Sequence, residues 1–256
     1  MTAAQPNRFQ DFFKDKKYIA LKDYLYNYLL RKEAIGKVLP KEPAGKYLEV
    51  GTGSAPVVSS NNNIVVYTDI SHLALKTIRH AYSNGMFVAA DVCRLPFKSD
   101  SFSCLICSEV LEHVQDDKKA FSEIARVVKP SGSVIITFPH RRSYYAFDDR
   151  FVGHFRRYEL SEMENQLKGV GLTTVSLQKV LGPLEKVTML IVTICIHGLR
   201  RLSPKPADSV EKTGLLSMIL PLYKLLNQLY SVIVRFDSKV MPLKFSSVLL
   251  IKAIKK

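Results

Sequence analysis

Cysteine is scarce in this chain: four in 256 residues, too few for a disulfide framework. Cys104 and Cys107 do form a C-x-x-C, but inside Ser103-Cys104-Leu105-Ile106-Cys107-Ser108, an apolar run that reads as a buried strand. Residues three apart on a strand point to opposite faces, so the pair is not expected to hold a metal or to act as a redox couple, and no metal is expected elsewhere. Acidic residues are also in short supply. There are 23, against 37 Lys and Arg, for a net charge of +14. That balance points to an acidic partner: nucleic acid, an anionic membrane surface or a phosphorylated substrate. Met1 to Gln10 contains no apolar leader core, so the reducing cytoplasm is the expected compartment. The most apolar stretch, residues 187–199, is too short to span a bilayer. Repeats and low-complexity tracts are absent.

What is present suits one sizeable core, as 47% of the residues are apolar. Helical spacing of Phe12, Phe13, Tyr18, Leu21, Leu25, Tyr28, Leu29 and Val38 predicts one or two helices over 11–39, stopped by Pro40. Strands are then expected at 46–50, 64–69, 86–90, 103–108 and 133–138, and helices at 71–83, 116–129 and 160–169. The helix ending near 129 is expected to stop in a turn at Lys129-Pro130-Ser131-Gly132. This alternation predicts a parallel α/β sheet covered by helices on both faces. Ligands of such sheets sit outside the carboxyl ends of the strands. Glu49, Asp69, Asp91, Ser108 and His140 all fall at such ends. The expected organisation is an N-terminal helical cap (1–40), a core (41–182), an apolar helical insert (183–245) and a final strand with a basic tail (246–256).

The run Tyr47-Leu48-Glu49-Val50-Gly51-Thr52-Gly53-Ser54-Ala55 joins a strand to a glycine turn, and Asp69 closes the next strand. Glycine lets backbone approach a ligand, and an acid at that position suits ribose hydroxyls. A dinucleotide fingerprint wants a third glycine where Pro56 stands, which argues against NAD. Further on come Ala90-Asp91-Val92-Cys93-Arg94-Leu95-Pro96-Phe97, then Asp100-Ser101-Phe102-Ser103, Cys107-Ser108-Glu109-Val110-Leu111-Glu112-His113-Val114 and Arg126-Val127-Val128-Lys129-Pro130-Ser131-Gly132. In this order, over roughly residues 40–180, they resemble the class I S-adenosylmethionine-dependent methyltransferases, in particular the small-molecule branch related to ubiquinone and menaquinone methyltransferases.

The resemblance implies a Rossmann-like seven-stranded sheet with its last strand antiparallel, and S-adenosyl-L-methionine as cofactor. It implies that Glu49, Gly51, Thr52 and Gly53 receive the methionine moiety. Asp69 would hold the ribose, with Ile70 packing on the adenine. Asp91 and Val92 would receive the adenine edge, and Ser108 and Glu109 would floor the pocket. The chain departs from the family at Ala55, which replaces a third glycine, and at Ser103. It departs again at the short segment from Ala55 to Asn63, which leaves room only for a truncated helix.

Methyl transfer is an in-line displacement in which alignment and water exclusion matter most. A hydroxyl acceptor also needs a base. Three histidines are candidates: His113, His140 and His154, the last in Gly153-His154-Phe155-Arg156-Arg157-Tyr158, a stretch that in relatives forms a substrate-side lid. Arg141, Arg156, Arg157 and Tyr158 are candidate acceptor-binding residues. Asp148, Asp149, Arg156 and Arg157 are equally readable as solvated ion pairs.

The insert carries two very apolar helices. Ser217, Lys224, Gln228, Ser231 and Arg235 share one narrow face of the second. The helices cap the core, lie in a membrane interface or wall a lipid-sized pocket, or form a dimer interface. Arg200, Arg201, Lys205, Arg235, Lys239 and Lys244 near them favour an anionic membrane surface. The leading expectation is a methyltransferase for a small-molecule or lipid-linked acceptor, cytoplasmic or peripheral to a membrane, monomeric or dimeric. An RNA or protein methyltransferase and a non-catalytic membrane-associated module are the alternatives; nucleic acid is disfavoured because no RNA-binding module precedes the core.

Overall fold

The computed structural model describes residues 25–40, 45–59, 64–79, 82, 84–202 and 213–256, with side chains undescribed at 199–202 and 213–220. The expected helix over 11–24 and the basic loop carrying Lys205 lie outside the described residues, as do the side chains of Arg200, Arg201 and Ser217.

Seven strands form one sheet: β1 (Lys46–Val50), β2 (Ile64–Asp69), β3 (Met86–Ala89), β4 (Phe102–Ser108), β5 (Val128–Pro139), β6 (Leu172–Leu181) and β7 (Val248–Lys255). Their order is β3-β2-β1-β4-β5-β7-β6. The first five run parallel, and β7 enters antiparallel between β5 and β6. The chain reverses direction across the sheet at β1, between β2 and β4, which is where such a sheet opens a crevice. Register pairs Val50 with both Thr68 and Cys107, and Ser108 with Thr137. The residues that follow β1, β2 and β4 therefore leave the sheet at one level.

Each face of the sheet has its own core. On one side α3 (Asp117–Val127) and α5 (Leu160–Gly169) press Phe121, Ile124, Met163 and Leu167 onto Leu105, Cys107 and Ile136. On the other, α1 (Tyr26–Val38), α2 (His72–Arg79) and α7 (Thr213–Val240) bring Ile35, Leu75, Ile78 and Val234 onto Cys104, Ile106 and Ile135. Cys104 and Cys107 thus lie in opposite cores, as the strand period requires. Burial pushes both thiols up, Cys104 to about 11.

The turn expected at Lys129–Gly132 is folded into β5 instead. The strand begins at Val128, opposite Phe102, and pairing resumes at Ser133 opposite Cys104. The intervening residues form a bulge with Ser131 at φ 62°.

Between β1 and β2 the described residues contain turns and no helix. The face that a crossover helix would cover is taken by α1 and α7. Two devices pin the short segment. The Glu49 carboxylate accepts from Val57 N (2.9 Å) and Val58 N (3.0 Å), and the Tyr28 hydroxyl lies 2.6 Å from the carbonyls of Ala55 and Pro56. Residues 51–59 thus form no helix, and α1 packs against them through Tyr28.

Candidate functional site

The glycine turn is held by its neighbours more than by its own sequence. Gly51 and Gly53 sit at φ 67° and 60°, in the left-handed region that favours glycine. A Cβ on Gly51 would also meet Val110 Cγ2 at 2.3 Å. Asp69, at the end of β2, accepts from Gly53 N (2.8 Å) through one carboxylate oxygen and from Ser71 N (2.7 Å) through the other. It thereby ties the turn to the start of α2. Thr52 stacks its hydroxyl against the Glu49 and Thr68 carbonyls.

Beside this turn Ile70 is half exposed, whereas Val92 is buried. Asp91 is exposed and accepts from Cys93 N at 2.8 Å, an Asx turn that leaves the residue at the rim. Ser108 shares a hydrogen bond with Thr137 Oγ1 at 2.8 Å. Glu109 holds φ 55°, faces Arg31 Nη1 at 3.4 Å, and keeps its buried Oε1 without a hydrogen-bond partner. Arg31 comes from α1, and its place at the site has no signature in the sequence. Glu49, like Asp69, spends both carboxylate oxygens on backbone N–H groups, and it shapes the segment after the turn.

Two of the three candidate histidines come together. His113 ends the 3-10 turn Leu111–His113, and His154 follows helix α4 (Phe147–Val152). Their rings lie 4.6 Å apart, and with Glu112 they form a compact group. Burial, then the neighbouring His154, pushes His113 down to about 3. Glu112 is fully buried with neither carboxylate oxygen hydrogen-bonded, and burial, followed by the Glu109 charge, raises its pKa well above the usual carboxylate range. His154 Nδ1 contacts Asp149 Oδ1 at 2.8 Å. His140 stays apart: it is buried, with Nδ1 2.9 Å from the Ser246 carbonyl.

The expected acceptor-binding arginines correct the sequence reading. Asp148, Asp149 and Arg157 are buried, not solvated. Arg157 Nε donates to Asp149 at 2.7 Å, and its Nη1 reaches the His140 and Ser247 carbonyls. Lys186, from α6 (Pro183–Leu202), closes the group with contacts of 2.6 Å to both aspartates. Burial alone would raise the Asp149 pKa; His154, Arg157 and Lys186 hold it well below the usual range. Tyr158 is fully buried, its hydroxyl 2.8 Å from Asp117, and Arg156 pairs with the same aspartate at 2.6 Å. Arg141, at φ 70°, turns toward the Lys244 carbonyl and the Tyr144 ring. These residues brace the segment from Arg141 to Tyr158 against the core and hold His154 beside Asp149. Asp149 is the buried centre that the sequence did not single out: His154 and Arg157 stand close by in the chain, but Lys186, which closes the group, comes from α6.

Comparison with known proteins agrees with this fold. Residues 48–136 match the model of a methyltransferase domain. The demethylmenaquinone methyltransferase of Streptomyces griseus is 34% identical over 111 residues, which is 42% of this chain and 48% of the relative. That of Streptomyces avermitilis is 31% identical over 140 residues, 52% of this chain and 60% of the relative. The chain thus spans about half to three fifths of the length of these curated relatives.

Among solved structures, a Thermotoga maritima S-adenosylmethionine-dependent methyltransferase aligns with a TM-score of 0.62 at 16% identity, covering 97% of this chain and 98% of the other. Haemonchus contortus phosphoethanolamine N-methyltransferase 2, solved with S-adenosyl-L-methionine, aligns at 0.60 and 17%, covering 98% and 60%. Residues 48–136 thus carry a methyltransferase-like domain, set in a seven-stranded sheet of the Rossmann-like class I methyltransferase kind.

Proposed function

We propose that this protein transfers the methyl group of S-adenosylmethionine to a small-molecule or lipid-linked acceptor met at a membrane surface. The observation that carries the transfer is the shared strand-end level of the glycine turn, Asp69 and the Glu112–His113–His154 group, with Val110 bridging turn and group. Gly51, Thr52 and Gly53 would receive the methionine part, Asp69 the ribose, and Ile70, Asp91 and Val92 the adenine. The bound cofactor supplies an electrophilic methyl group. The chain's own part is to orient the acceptor against it and to exclude water. His154, oriented by Asp149, stands on the acceptor side beside His113. Relatives named demethylmenaquinone methyltransferases support a small, quinone-like acceptor.

The membrane half rests on the insert helices, which are turned inside out. Leu222, Leu225, Leu226, Leu229, Val232, Ile233, Phe236 and Val240 of α7 are 53–68% exposed. Asn227, Ser238, Tyr230 and Asp237 face the protein. In α6 likewise Val187, Ile191 and Ile194 are exposed, while Glu185, Lys186 and Thr193 are buried. Taking such half-exposed side chains out of water is worth on the order of 1 kcal/mol each. The stripe from Leu222 to Val240 is about 27 Å long. Exposed Lys239 and Lys244 adjoin it, suiting anionic headgroups. Among the described residues no helix is long and apolar enough to cross a membrane, so the fitting geometry is a helix lying in the interface.

Calorimetry with S-adenosylmethionine and S-adenosylhomocysteine tests the first half; a folded protein that binds neither at millimolar ligand refutes it. Co-sedimentation with phosphatidylglycerol vesicles tests the second. The protein is expected to bind at low salt, and Leu229→Asp/Phe236→Asp to release it without loss of stability. A protein that ignores the vesicles, or buries this face in a dimer, overturns the membrane reading.

A further inference from the structure

We infer that Glu112, His113 and His154 form a binding site for one divalent transition-metal cation on the acceptor side of the cleft. Each of the three offers a ligand atom, and these atoms all lie within 4.8 Å of one another. Ligands on a common cation at about 2.1 Å stand roughly 3–3.4 Å apart, so side-chain shifts of about 1 Å complete the set.

The second observation is Glu112 itself. Its carboxyl is wholly buried and neither oxygen has a hydrogen-bond partner. An unpartnered buried carboxyl is costly. A cation at this point satisfies it, and the neighbouring Glu109 side chain, with its own buried oxygen unpartnered, adds negative charge from the same turn.

The surrounding shell is that of a metal site. His154 presents Nδ1 to Asp149 Oδ1 at 2.8 Å and Nε2 towards Glu112 Oε1 at 3.9 Å. An imidazole that donates one nitrogen to a carboxylate offers the other as an oriented, basic ligand. Asp149 is itself fixed by Arg157, Lys186 and the Ala146 amide. His113 Nδ1 lies 3.4 Å from the Gly153 carbonyl, on the same lid segment that carries His154. Two imidazoles and one carboxylate suit zinc, cobalt, manganese or iron better than magnesium or calcium, which prefer all-oxygen shells. A cation here acts as a Lewis acid and lowers the pKa of an acceptor hydroxyl beside it, which assigns an oxygen-bearing acceptor to the proposed transfer. Only that last step rests on the methyltransferase reading; the site does not.

The test uses the full chain, stripped with EDTA and titrated with Co2+, followed by visible absorption and calorimetry. One equivalent is expected to bind at micromolar or lower concentration, with ligand-field bands and a rise in Tm. Glu112→Gln and His154→Gln, checked for folding by circular dichroism, are each expected to weaken binding at least tenfold. X-ray absorption at the cobalt edge of the unmodified protein is expected to show two imidazoles, which keeps the test decisive should a variant fail to fold. No binding at 1 mM Co2+, equal affinity in folded variants, or an all-oxygen shell overturns the inference. S-adenosylmethionine titrated into the metal-free protein reads the methyltransferase assignment separately: retained cofactor binding without metal binding refutes only the cation site.

Discussion

Glu49→Gln tests whether a buried carboxylate, and no helix, holds the cofactor turn. Glu49 is 3% exposed and accepts two backbone N–H groups, from Val57 and Val58. Hydrogen bonds to a charged group contribute about 1.5–3 kcal/mol each. Glutamine keeps the shape and one acceptor oxygen but turns an NH2 towards the second backbone donor. One bond survives at neutral strength and one buried amide is left unpaired, an expected loss of about 2–3 kcal/mol. Because the loss is local, hydrogen exchange at Val57 and Val58 should accelerate by about 30- to 140-fold, and the affinity for S-adenosylmethionine should fall. Urea denaturation should register part of the same change as a lower midpoint at unchanged slope. Exchange within threefold of the unmodified protein, together with unchanged cofactor affinity, would show that the turn is held by something else.

The other consequences are more local. Gly51→Ala meets both a positive φ and the Val110 side chain at 2.3 Å, so cofactor binding should be lost in calorimetry; adding Val110→Ala should restore part of it, leaving the backbone penalty of about 1–2 kcal/mol. Asp149→Asn leaves Arg157 and Lys186 buried with one counter-charge fewer, and should cost about 3–5 kcal/mol in urea unfolding; a cost under 1 kcal/mol would mean the group is solvated after all. His140 is held below its ordinary pKa, chiefly by burial, with the Ser246 carbonyl and Glu159 working the other way and the Arg141 and Arg157 charges with it. The unfolded chain therefore binds the extra proton first, so stability present above about pH 6.5 is lost as pH falls below it. The pH dependence of Tm between 7.5 and 5 should be shallower in His140→Asn than in the unmodified protein, and an identical slope would count against this.

The sequence exposes the sheet because its strands are short apolar runs punctuated by glycine and acid, and such signals are local. The strand-end acids, the glycine turn and the opposite placement of Cys104 and Cys107 all follow from it. The acceptor side is a different matter. Asp148, Asp149, Arg156 and Arg157 look like surface charge in sequence, because opposite charges close together usually are. What buries Asp148, Asp149 and Arg157 is Lys186, on a helix beyond β6, and the Ser246–Ser247 entry to β7, whereas Arg156 stays half-exposed against Asp117. No period in the sequence reports a contact across 90 residues. Glu112 stands in the quoted motif, yet its unpartnered carboxyl emerges only once Phe155 N closes over its carbonyl and brings His154 alongside.

The insert shows most clearly where pattern and placement part. Period 3.6 separates a polar from an apolar stripe on the helix at 213–240 in either medium; it does not say which stripe faces outward. The deciding contacts are polar: Asp237 accepts from Leu184 N at 3.1 Å, Asn227 lies within 3.4 Å of Tyr26 N, and Lys179 donates to the Lys239 and Met241 carbonyls at 2.8 and 2.7 Å. A helix docked through hydrogen bonds leaves its leucines for something other than the core. In water that arrangement forfeits most of the apolar burial that ordinarily fixes a helix, so on the proposed membrane reading a second apolar phase would add to its stability. A lipid interface supplies one, and it would place the acceptor side of this cleft within reach of lipid-borne molecules. The expected signature is a Tm for α7 that rises with anionic lipid while the β-sheet transition stays fixed, read by amide exchange in the two segments.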